Sequence, residues 1–99
     1  MIDYHGPIGL VLMAIAELSP EDAERLAQDI HPDDRARSEE FAATVGGWPR
    51  YAKAYPKIYS RSVEYERSGL MGDDFRATVI GHSLVCRAHG LPLHCQRLM

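Results

Sequence analysis

DDFRATVIGHSLVCRAH, residues 73–89, runs without proline between Gly72 and Gly90 and carries the spacing of one long helix. Gly72 or Asp73 can cap its start, and Gly90 with Pro92 behind it stops it. At 100° per residue, Phe75, Val79, His82, Cys86 and His89 fall within about 80° of one another. Ala77, Ile80, Gly81, Leu84 and Ala88 occupy the opposite side, and only Arg76, Ser83 and Arg87 share a clearly polar edge. A helix apolar on two faces must be wrapped by others, so the remaining segments are expected to form the wrapping.

Upstream of it lies GGWPRYAKAYPKIYSRSVEYERSGLMGDD, residues 46–74. This reads as a loop, then a helix broken or kinked at Pro56 and regular from Lys57 to about Arg67, then a Gly-rich turn. Ser19-Pro20-Glu21-Asp22 is the clearest start signal: a capping hydroxyl, proline in the first turn, and carboxylates at the positive end of the helix dipole. From it a helix with Ala23, Leu26, Ala27 and Ile30 on one face runs to about Ile30. Pro32 with Asp33 and Asp34 opens another, through about Val45, which Gly46-Gly47 ends. Glu21 with Arg25 and Asp33 with Arg37 are i, i+4 ion pairs on these helices. At the N-terminus, Pro7 takes the first helical position of an almost wholly apolar helix, IGLVLMAIAEL, whose stripe is Ile8, Val11, Leu12, Ile15 and Leu18. That helix is a core partner of 73–89 or, alternatively, a dimer face. Val, Ile and Thr nowhere alternate with polar residues over five positions, so the expected fold is all-α. It is a compact single domain, 1–99, of five to six short helices around the central helix 73–89.

Composition excludes more than it selects. Apolar content of 45% with 25% charged residues is that of an ordinary globular chain, not of a disordered one. The net charge of −3 hides an asymmetry: residues 1–40 hold ten carboxylates and three arginines, residues 41–99 four carboxylates and eight cations. Two cysteines, Cys86 and Cys95, do not make a disulfide scaffold, and a reducing compartment is the simpler reading. The apolar run Gly9 to Ala16 ends like a signal-peptidase site but follows Asp3 and no Lys or Arg, and it is about half the length that spans a bilayer. A cytoplasmic chain without a membrane partner is the expectation.

Three sets of residues could carry function. The first is Trp48 to Arg61, where Arg50, Lys53, Lys57 and Arg61 repeat at 3, 4 and 4 beside Tyr51, Tyr55 and Tyr59 at 4 and 4. A basic row beside an aromatic row suits phosphate contact and base stacking, and Trp, Tyr and Arg are also the residues that anchor protein interfaces. The competing reading is structural: tyrosines packed inward with hydroxyls at the rim, and cations answering the acidic helices across the bundle. The second set is the acidic surface Asp22, Asp29, Asp33, Asp34, Glu39 and Glu40. These carboxylates either complement helix dipoles and solubilise the chain, or imitate phosphates or dock on a basic groove. The third is His82, Cys86 and His89 on one face of the central helix, with His94 and Cys95 beyond the turn, a mixture that zinc accepts. No C-x2-C pair or H-E-x-x-H motif supports it, and buried Cys86 with hydrogen-bonded histidines is the plainer account.

No triad, cofactor motif or metal signature is present, so no catalytic residue and no cofactor is expected. The expected role is a small non-enzymatic binding protein of inhibitor, anti-defence or adaptor type, monomer or homodimer. It would occupy the surface of a larger protein or nucleoprotein complex through Trp48, Arg50, Tyr51, Lys53, Tyr55, Lys57, Tyr59 and Arg61. Nucleic-acid binding through the same rows is the alternative, and a small zinc-binding helical protein comes third.

Overall fold

A computed structural model describes residues 2–30 and 32–93. Among them the chain forms six helices and no strand: α1 (Ile8–Ala16), α2 (Pro20–Ala27), α3 (Pro32–Thr44), α4 (Trp48–Tyr51), α5 (Tyr55–Arg67) and α6 (Asp73–Ala88). The all-α expectation and the central helix both hold. Gly81 to Cys86 are buried without a break, so more than a turn of α6 is enclosed on every side, chiefly by α1, α2 and α3. Burial starts later than the two-faced pattern suggested. Val79 is the first buried residue of α6, and Phe75, on the expected core stripe, is exposed because its turn stands beyond the wrapping helices. At the other end Gly90 has φ +82°, and the N–H groups of Gly90 and Leu91 bond the carbonyls of Arg87 and Cys86 at 2.9 and 3.2 Å. Only a residue without Cβ adopts that backbone cheaply, and it turns Leu91 and Leu93 back into the core.

Pro7 caps α1 and does not occupy its first turn: its backbone is extended, with ψ 139°. A proline cap offers no side-chain acceptor, and a distant carboxylate replaces it. Glu66 Oε2 accepts from the Ile8 N–H at 2.8 Å and pairs with Arg76 at 2.9 Å. Arg76 in turn donates to the carbonyls of Tyr4, at 2.8 Å, and Gly6. This clasp joins the N-terminal segment, α1, α5 and α6.

The cap of α2 is as expected, with Ser19 Oγ accepting from the Asp22 N–H at 3.1 Å, but the helix ends at Ala27 and residues 28–30 form a turn. The ion pairs take a different register. Arg25 pairs with Asp22 and Arg37 with Asp34 at 3.5 Å, both i, i+3, where i, i+4 partners were expected. Arg35 reaches from α3 to Glu24 on α2 with two parallel bonds of 2.7 Å, the bidentate geometry that holds both side chains in place and lowers the Glu24 pKa.

Pro56 does not kink a helix; it opens one. It sits in the first turn of α5, where its missing N–H costs nothing, and the break falls upstream at residues 52–54. α5 packs closely on α1 and reaches α6 mainly through long side chains: Tyr55 to Ser83, Glu66 to Arg76, Tyr65 to Phe75. A groove is left between them. No helix among the described residues is long and apolar enough to cross a membrane.

Candidate functional site

The basic and aromatic rows of 48–61 do not share a surface. Because the chain breaks at 52–54, Tyr51 from α4 and Tyr55 from α5 both turn inward. Tyr55 is fully enclosed and donates to Ser83 Oγ at 2.7 Å, and Ser83 passes its own proton to the Val79 carbonyl at 2.9 Å. Tyr51 meets His82 Nε2 at 2.7 Å. Tyr55 cannot touch a partner from there and Tyr51 keeps only 8% of its surface exposed, which corrects the expectation that both project from a contact surface. A tyrosine is long enough to bridge a gap between helices and satisfy its hydroxyl at the far side; here that gap is the one separating α4 and α5 from α6. Trp48 is half-buried, stacked on His89 with ring centroids 4.2 Å apart, and Tyr59 is half-buried with its hydroxyl close to Gly9 of α1. Arg50, Lys53, Lys57 and Arg61 remain exposed.

Those four cations form no ion pair among the described residues. Between Glu40 and Glu64 the chain carries no carboxylate at all. The acidic helices have other company: Asp22 with Arg25, Asp34 with Arg37, and Glu39 with His89 at 2.8 Å. Asp29, Asp33 and Glu40 are exposed. Tyr51 and Tyr55 therefore pack inward with their hydroxyls buried, not at the rim, and pairing of the cations across the bundle does not occur among the described residues. Lys57 and Arg61 lie together one turn apart on α5, flanking Pro56 and Ser60 at a shallow hollow, whereas Arg50 folds over Gly46 at the α3–α4 corner.

His82 and Cys86 are neighbours, with Sγ and Nε2 3.6 Å apart, but His89 is held elsewhere by Trp48 and Glu39. Among the described residues no three His, Cys, Asp or Glu side chains gather as a ligand set, and His94 and Cys95 lie outside those residues. Both ring nitrogens of His82 are also engaged. Ser38 Oγ donates to the Asp34 carbonyl at 3.0 Å, so its contact with Nδ1 at 2.7 Å must be an N–H donated by the histidine. Nε2 is then the acceptor for the Tyr51 O–H. The chain Tyr51→His82→Ser38→Asp34 is complete only with a neutral imidazole, and burial lowers the His82 pKa to about 4. The same burial raises Tyr51 and Cys86 to about 12 each, with Cys86 adding to the shift at Tyr51, so neither phenolate nor thiolate forms near neutral pH.

Sequence reasoning missed the groove that opens above this chain. It holds about 360 Å³, with Val79, Ile58 and the His82 and Tyr51 rings in its lining. Phe41 from α3, Tyr65 from α5 and Phe75 from α6, respectively 50, 42 and 41% exposed, also line it, and Arg61 is its one charged side chain. Each ring comes from a different helix, so no periodicity in the sequence joins them. The available signal was Phe75, an apolar ring on the most exposed turn of an otherwise buried helix. Comparison with known protein families, curated proteins and solved structures finds no match to this chain.

Proposed function

We propose that this chain is a small, non-enzymatic binding protein of inhibitor or adaptor type that covers an acidic surface of a larger protein. The observation that carries the reading is the charge imbalance of α4 and α5. Arg50, Lys53, Lys57 and Arg61 are solvent-facing cations in a stretch without carboxylates, while Asp22, Glu24, Asp34 and Glu39 of α2 and α3 have partners on those helices or on α6. Unmatched charge on one side of a small domain steers encounter with a surface of opposite sign and selects against like-charged partners. A rigid all-helical body then blocks or bridges whatever that surface does. Nucleic acid is the weaker fit, because the aromatic row that would stack bases is turned inward and Trp48 is already stacked on His89.

The test is capture from a lysate of the source or host cells with tagged wild type and with the Lys57→Glu/Arg61→Glu double variant, each with and without nuclease. A stoichiometric protein with an acidic contact surface, retained after nuclease and lost on the double variant, is the expected result. Recovery of nucleic acid alone, eluted by salt, would replace this reading with the nucleic-acid one. Protein captured equally by the variant would remove the basic face from the account.

A further inference from the structure

We infer that the groove between α5 and α6 receives one large apolar side chain from an acidic helical segment of the partner, with a carboxylate one turn away meeting Arg61. The inference rests on the acidic-surface reading and adds to it the chemistry of the epitope. Three observations support it. Half of the large apolar side chains that stand exposed among the described residues, Phe41, Tyr65 and Phe75, converge on this groove from three helices. Tyr65 and Phe75 touch at a ring separation of 5.6 Å, and Phe41 stands edge-on to His82 at 6.4 Å, so the walls are braced aromatic surface. Rigid aromatics around a desolvatable hollow are what protein interfaces use as anchor pockets.

Charge selects the occupant. Arg61 is the sole charged group of the lining, forms no ion pair among the described residues, and also borders the hollow next to Lys57. The polar atoms of the floor are already satisfied: His82 by Tyr51 and Ser38, and Ser62 by the Ile58 carbonyl. A polar side chain entering the groove would find the floor donors already committed and only Arg61 as a charged partner, whereas an apolar one leaves no polar group unpaired. A carboxylate three or four positions along a helix lies on the same face as that apolar residue, which places it over Arg61 and Lys57.

A display library of helical 14-residue peptides, selected on the full chain, tests this without the partner in hand. The selected sequences are expected to carry Leu, Phe or Trp three or four positions from Asp or Glu. Their affinity is expected to fall tenfold or more with Arg61→Gln, with Phe75→Ala, and with Thr78→Trp, which fills the groove from its α6 wall. Thermal melts of the three variants separate loss of the site from loss of the fold, and Phe75→Ala, at an exposed rim, is the safeguard if Thr78→Trp does not fold. Acidic peptides that lack an apolar anchor, are lost on Lys57→Glu and bind Thr78→Trp like wild type would overturn the groove inference and leave the acidic-surface reading standing. Basic peptides, or none, would sink both. A dimer of the chain itself that Thr78→Trp dissociates would make a second copy the occupant and overturn the inference.

Discussion

Replacing His82 by Gln should remove most of the protein's sensitivity to mild acid. In the folded chain His82 is enclosed and held neutral at about 4 by burial, against an ordinary value of 6.5 for the unfolded chain. Between those two values the unfolded state binds a proton that the folded state refuses. Stability is therefore full above about pH 6.5 and declines as the pH falls towards 4, the direction for a group whose folded pKa is depressed and whose neutral form is the native one. At 1.36 kcal/mol per unit, the linkage relation gives a loss of about 2 kcal/mol between pH 7 and pH 5 and about 3 kcal/mol by pH 4. That is a large share of the stability of a domain this size, which runs to roughly 5–15 kcal/mol. The structural reason is visible in the chain Tyr51→His82→Ser38→Asp34: a proton on Nε2 would face the Tyr51 hydroxyl proton, and the bond at 2.7 Å would have to reverse or break. Urea denaturation followed by far-UV circular dichroism at pH 7, 6, 5 and 4.5, run on wild type and His82→Gln, isolates the term, since every other ionisable group is common to both. The variant should be less stable at pH 7 and much flatter between pH 7 and 5. Parallel loss of stability in the two proteins, or a His82 imidazole resonance that titrates near 6.5, would refute the reasoning.

Other substitutions read the same packing from different sides. Ser38→Ala leaves the His82 Nδ1–H buried without its acceptor and should cost about 1–3 kcal/mol, seen as a lower thermal midpoint. Tyr55→Ala empties a fully enclosed site and strips the partner from Ser83; about 3–5 kcal/mol is expected, and a melting temperature unchanged from wild type would return that ring to the surface. Glu66→Ala undoes the acceptor shared by the Ile8 N–H and Arg76, so hydrogen exchange at Ile8 and through residues 4–8 should accelerate well before that of α6. Lys57→Glu/Arg61→Glu should leave the melting temperature within a few degrees of wild type, because both side chains are exposed and unpaired among the described residues; a collapse would show that they hold the fold.

Local chemistry was legible residue by residue. The Ser19 cap, the stop at Gly90, the break after α3 at Gly46-Gly47 and the absence of strands among the described residues all follow from side chains acting on their own backbone within one turn, and the amino-acid order of 99 residues was enough to read them. The central place of α6 followed too, because a helix with apolar residues on both sides has no stable position except inside others. Three matters waited for the tertiary structure. Whether Tyr51 and Tyr55 faced water or α6 depended on which side of Pro56 the chain would break, and proline fits the first turn of a helix as readily as it breaks one. The partner of Glu66 lay on two other elements, Ile8 and Arg76, at separations that no periodicity records. The groove exists because α5 leans on α1 and stands off from α6, a balance of packing among three helices. Periodicity tells which face of a helix must be covered; which neighbour covers it, and where the cover stops, is decided by how the helices fill one volume together.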